Sequence, residues 1–185
     1  MSALSTAIPS VLTPGVWAVD PSHSSVSFAV RHLMVSKVRG RFGAFTGTLT
    51  VGENVADARL EASVEMASIT TGDQGRDAHL TGAEFFDVEQ FPSMTFNSTA
   101  LTVAGDGYAL AGDLTIKGVV RPVTFALEFE GVSTDPWGNT KAGFSAEAEI
   151  NRKEWGLEWN VALETGGVLI GEKVKIQLDI EAARV

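Results

Sequence analysis

At 185 residues, with 44% hydrophobic and 20% charged side chains, the chain has the length and composition of one soluble globular domain. It contains no cysteine, which excludes disulfides, thiol catalysis and thiolate metal sites. A net charge of −9 sets repulsion against phosphate, so neither nucleic acid nor an anionic membrane surface is an expected partner.

The opening, MSALSTAIPSVLTPG, predicts a flexible arm over 1–14 ahead of a single domain over 15–185. It lacks the positive start and continuous apolar stretch of a signal peptide, so the expected location is cytoplasmic. No apolar run is long enough to cross a bilayer, and stable membrane insertion is not expected.

From Ser22 onward the pattern has period two. Val26, Phe28 and Val30 alternate with Ser25, Ser27 and Arg31, and Ala58, Leu60, Ala62, Val64 and Met66 alternate with Arg59, Glu61, Ser63 and Glu65. The same alternation carries Tyr108 to Ile116, Val123 to Phe129, Phe144 to Ile150 and Val174 to Ile180. Such runs are strands with one wet face. The Asp-Gly pair in AGDGY predicts a tight hairpin, and TDPWGNT and TGGVLIGE supply further turns. Glycines 40, 43 and 47 fall inside a strand-like run, where bulges or close backbone approach explain them. Many antiparallel strands with short turns predict an all-β sandwich or closed barrel.

Two segments break the alternation. In GRDAHLTGAEFFDVEQFP, any of Thr70, Thr71 and Asp73 can cap a helix over about Gln74 to Leu80. Thr81 and Glu84 have capping-box spacing for a second helical turn carrying Phe85 and Phe86, which predicts a helical segment near 74–86. Pro92 ends it. In NRKEWGLEWN, Trp155 and Trp159 stand four apart and share a face if that turn is helical.

The familiar catalytic signatures are missing: no HExxH, GxSxG or GxxxxGK. His23 and His32 are nine residues apart and would face opposite ways on one strand, so no metal site is expected. Arg76, Asp77 and His79 admit three readings: a solvated helix surface, a polar cluster at a pocket mouth, or acid–base groups of an enzyme. With no nucleophile or second pre-arranged carboxylate beside them, no enzyme activity is expected.

DPSHSSVSFAVRH (Asp20 to His32), VRGRF (Val38 to Phe42), RDAHLTGAEFFDVEQFP, GDLTIKGVVRPV (Gly112 to Val123) and NRKEWG (Asn151 to Gly156) stand in an order that resembles the YceI-like family. The resemblance covers about residues 15–184. It implies a lipocalin-like antiparallel β-barrel of about eight strands, and a long-chain isoprenoid or fatty-acid-like ligand inside it. An isoprenoid quinone or a prenyl phosphate would be such a ligand. No cofactor is implied, and a homodimer is left open.

On that reading the ligand lies along the barrel axis, with affinity from the tail and selectivity from polar groups at the mouth. The expected tail contacts on strands are Phe28, Val30, Phe42, Phe96, Leu114, Phe125 and Phe144, with His32 and Trp155 near the ends. At the corner, Phe85 and Phe86 face the tail, and Arg76 and His79 contact the head group. If Arg76 only anchors the corner, the head-group role passes to Arg31, Arg39 or Arg152. A barrel filled by its own side chains has the same sequence pattern, so a structural or stress-response barrel without ligand stays open, as does a lipid-modifying enzyme.

Overall fold

A computed structural model describes residues 8–185. The alternating segments form β1 (Gly15–Val19), β2 (Ser25–His32), β3 (Ser36–Phe42), β4 (Phe45–Val51), β5 (Arg59–Glu65), β6 (Ile69–Thr70), β7 (Ser93–Ala104), β8 (Gly107–Ile116), β9 (Val119–Thr134), β10 (Thr140–Asn151) and β11 (Ile170–Arg184). Three of the rungs are broken strands. Turns at Pro21–His23 and Met66–Ser68 split β1 from β2 and β5 from β6, while β3 and β4 part at Gly43-Ala44. Each pair is one rung, because β2 pairs β3 where β1 pairs β4, and β3 pairs β6 where β4 pairs β5.

All ladders are antiparallel, and β11 closes the ring by pairing β2 with its first half and β1 with its last. The result is a closed eight-stranded antiparallel barrel in up-and-down order. The ring closes through β1, β2 and β11, while β3 is paired on its far side only at Arg41 and Phe42, which leaves residues 36–40 with an open edge at the α1 end.

The period-two sets point inward as expected: in β9, Val123 and Phe125 are buried, while Thr124, Ala126 and Glu128 are exposed. Gly40 follows from close approach, since a Cβ there would stand 2.3 Å from the Phe28 ring. The β7–β8 hairpin differs in detail from the sequence reading. Ala104 pairs Gly107, so its two loop residues are Gly105 and Asp106, and Gly105 takes the positive φ of 60°. Glycine at the first loop position suits a two-residue hairpin as well as Asp-Gly does.

The helical corner is shorter than expected. α1 spans Gln74–Thr81, with Asp73 as its cap, accepting from the Arg76 amide at 2.8 Å. Thr81 does not open a second turn, because its hydroxyl donates back to the carbonyls of Asp77 and Ala78. Gly82 ends the helix, and residues 82–86 form tight turns, with the Phe86 amide donating to the Leu80 carbonyl. The Trp155 and Trp159 expectation also fails. Only Arg152–Trp155 is helical, and the chain is extended beyond it, so the two indoles part.

Of the expected arm over 1–14, residues 1–7 lie outside the described residues. Leu12 is buried in a cluster with Trp17, Val51, Ala142 and Ala182, and Ile8 packs against the same cluster. This plug closes the barrel end that lies away from α1.

Candidate ligand-binding site

Not every inward side chain is buried. Val26, Phe28, Val30, Ile176 and Leu178 are only half-buried although they point to the axis. The reason is that the axis is not filled. One cavity of about 430 Å³ occupies the α1 end, lined by β2, β3, α1, Phe85, Phe86 and the start of β11. A second, of about 180 Å³, occupies the plugged end, lined by Leu49, Leu60, Leu110, Leu127, Phe144 and their neighbours. Val26, Met94 and Ile176 line both, so the two cavities adjoin along the axis, with these three side chains forming a waist between them. The larger half is within the range of small-molecule pockets, roughly 300–1,000 Å³.

Phe28, Val30, His32, Phe42, Arg76, His79, Phe85 and Phe86 line the larger cavity. Phe96, Leu114, Phe125 and Phe144 line the smaller one. Trp155 lines neither. It is 1% exposed and donates its indole N–H to the Leu114 carbonyl at 3.0 Å, so it braces the wall from behind. Trp159, which was not among the expected contacts, takes the place expected of Trp155: it lines the larger cavity, 4.6 Å edge-on from His79 and 5.5 Å from Phe85. Nothing in the spacing marked it, because that inference required a helix after Trp155.

Polar groups gather at the α1 end. Arg76 donates from Nε to the Thr71 hydroxyl at 2.7 Å and from Nη2 to the Thr71 carbonyl at 2.9 Å. Its Nη1 has no hydrogen-bond partner among the described residues, and Arg76, though exposed, lines the larger cavity. Thr71 is held in turn by Asp77, whose Oδ1 accepts its amide and hydroxyl. His79 meets Glu84 Oε2 through Nε2 at 2.6 Å and packs edge-on to Phe85 at 5.1 Å. Among the described residues, no hydroxyl is a hydrogen-bond partner of His79.

Arg152 is the group most out of keeping with an apolar interior. It is 4% exposed and lines the larger cavity, yet its partners are four carbonyls: Leu157, Trp159, Ile170 and Gly171. Burial lowers its pKa, opposed by the charge of Glu172. Its fork thus ties the mouth loop after residue 156 to the first residues of β11. Arg31 also lines this cavity, whereas Arg39 does not.

Asp20, His23 and Glu181 come close enough at the β1–β2 kink to offer metal ligands. The ammonium of Lys141, 3.1 Å from Asp20 and 3.6 Å from Glu181, already supplies the positive charge there. Ser22, then His23 and Lys141, hold the Asp20 carboxyl far below the usual carboxylate range, and the hydrogen bond to Asp20 raises the His23 pKa. A histidine raised on folding stabilises fully below its unfolded value near 6.5, and that contribution is lost as pH rises through its folded value. The melting-temperature advantage of the parent over His23→Gln is therefore expected to be larger at pH 6 than at pH 9. An advantage that does not change with pH would exclude the imidazolium as its source.

Set against known proteins, residues 17–182 match the family model described as the YceI-like domain. UPF0312 proteins of Staphylococcus aureus are 38% identical over 164 residues, covering 88% of this chain and 94% of theirs. A YceI protein of Campylobacter jejuni superposes with a TM-score of 0.72 at 26% identity, covering 84% of this chain and 90% of that one. A polyisoprenoid binding domain from Saccharophagus degradans shares the fold with a TM-score of 0.67 at 14% identity, over 94% of this chain and 100% of that one.

Proposed function

The chain belongs to the YceI-like family, and from that premise we propose that it binds, stores or carries a long-chain apolar ligand within the barrel. The ligand class is a polyisoprenoid, such as an isoprenoid quinone or a prenyl phosphate, or a fatty-acid derivative. One observation carries the reading: two mainly apolar cavities that adjoin at Val26, Met94 and Ile176 lie along the axis, where a filled barrel would have packed side chains. The tail extends through the waist toward the plugged end, and the head group stays at the α1 end near Arg76, His79 and Arg31. Each buried methylene contributes roughly 0.8 kcal/mol, so the tail dominates affinity. Binding rather than turnover fits the mouth, since His79 is wedged between aromatic rings with Glu84 as its polar partner.

The test is a melting-temperature series on delipidated protein with an isoprenoid quinone and a prenyl phosphate of equal tail length. Both should stabilise the native state, by roughly 2.7 kcal/mol at a hundredfold excess over the Kd. No shift with either contradicts the proposal. In Arg76→Ala the phosphate should lose about ten- to hundredfold in affinity, the worth of a charge-assisted hydrogen bond, while the quinone loses little. Equal losses would make Arg76 an anchor of the corner through Thr71 and move the head group to Arg31 or Arg152. Phe86→Asp should weaken both ligands alike.

A further inference from the structure

The net charge of −9 hides a local reversal. Residues 21–52 contain no aspartate or glutamate and carry Arg31, Lys37, Arg39 and Arg41. The β2–β3 hairpin places all four on its exposed face, with Arg31 directly opposite Lys37, Ala29 opposite Arg39 and Ser27 opposite Arg41. Like charges opposite one another in a ladder are unfavourable. None of the four has an ion-pair partner among the described residues, whereas Lys141, Lys153, Lys173 and Lys175 are all paired with carboxylates.

The tip of the same hairpin is apolar and exposed. Leu33, Met34 and Val35 are 42%, 54% and 80% accessible. Val35 donates its amide to the His32 carbonyl, and Leu33 and Met34 both have positive φ, 52° and 63°. That is a tight turn whose central positions favour Asn-Gly, and large apolar residues there are strained. The turn therefore shows three apolar side chains to solvent in a backbone that disfavours two of them. It stands at the mouth end of the barrel: the Leu33 amide donates to Leu169, which lines the larger cavity, as do Arg31 and His32. The adjoining loop adds exposed Val161 together with two carboxylates, Glu158 and Glu164.

We propose that the β2–β3 hairpin docks the protein reversibly on an anionic lipid bilayer, with Leu33, Met34 and Val35 entering the interface and the basic ladder facing lipid phosphate. An apolar tip on a hairpin whose exposed charges are all cationic matches such a surface in both of its properties, and the carboxylates Glu158 and Glu164 lie on the neighbouring loop. Rows of the ladder are about 7 Å apart, so Arg31, Lys37 and Arg39 lie within or near a Debye length of the headgroups, and Arg41 lies farther out. Docked this way, the cavity mouth faces the bilayer edge-on. The docking stands whether or not the barrel carries a lipid, so its test is separate from ligand binding.

The experiment is co-sedimentation with vesicles of phosphatidylcholine alone and of phosphatidylcholine mixed with phosphatidylglycerol. Binding is expected to the mixed vesicles only, and it should fall as salt is raised. Lys37→Glu with Arg39→Glu should weaken it by about 25-fold or more, at about fivefold per charge removed near the surface. Leu33→Asn with Met34→Gly relieves the turn, so that variant should melt higher than the parent and still lose vesicle binding. Three results would overturn the proposal: no binding to mixed vesicles, undiminished binding by the Asn-Gly variant, or association of the protein with itself in the absence of lipid that the same variant abolishes.

Discussion

Arg152→Ala is expected to destabilise the protein by about 3–5 kcal/mol, from four hydrogen bonds lost and buried carbonyls left without a donor. The substitution leaves the carbonyls of Leu157, Trp159, Ile170 and Gly171 without their common donor. The Ile170 carbonyl keeps the Asn160 side-chain amide as a donor. A buried acceptor left unpaired costs about 1–3 kcal/mol, and the loop after residue 156 will recover part of this by opening to water. In a domain of this size the loss corresponds to a fall of roughly 10 °C in Tm. Arg152→Lys keeps the charge but loses the planar fork, so only part of the stability should return. Because the same carbonyls position the loop holding Trp159 against His79 and Phe85, Arg152→Ala should also increase hydrogen exchange in 157–170 before it does so elsewhere. A Tm within 2 °C or so of the parent would mean that water satisfies these carbonyls already.

The second large effect is on ligand length. Val26 is half-buried and lines both cavities at the waist, so Val26→Trp places an indole between them without displacing packed neighbours. The fold should be kept, because the added volume enters empty space rather than a filled core. A ligand short enough for the α1-end cavity alone should bind as before. A ligand that reaches the plugged end loses about 0.8 kcal/mol for every methylene kept out, so excluding three costs roughly 50-fold in affinity. Isothermal titration with two ligands differing only in tail length reads this directly. Equal effects on both would place the ligand outside the waist.

The strands were legible in the sequence because period two states which face of a strand is dry, and runs such as Val174 to Ile180 or Val123 to Phe129 keep that period throughout, but a barrel rather than a sandwich followed only from the family resemblance. The same signal is blind to whether the dry face meets another side chain or an empty space. Phe125 is buried and Phe28 half-buried at equivalent-looking positions, and only the closed ring reveals the difference. Local capping arguments did well where the chain itself decides, as with Asp73. Spacing failed where another bond competed: locally at Thr81, which bonds back into α1, and through tertiary contact at Trp155, which turns to the Leu114 carbonyl. Arg152 shows the opposite limit. The sequence offered Arg152 only as an alternative head-group contact, and its four carbonyl partners, three of them in residues 159–171, come together only after the last strand closes the barrel.

The central claim is that the axial space holds a long apolar molecule. Organic extraction of protein purified from its own source, followed by mass spectrometry, tests it most directly. The account predicts a lipid with an isoprenoid or similarly long chain in near-stoichiometric amount, depleted in the Val26→Trp variant prepared the same way. An extract with no such molecule, from protein whose delipidated form also gains no Tm from added quinone or prenyl phosphate, would contradict it.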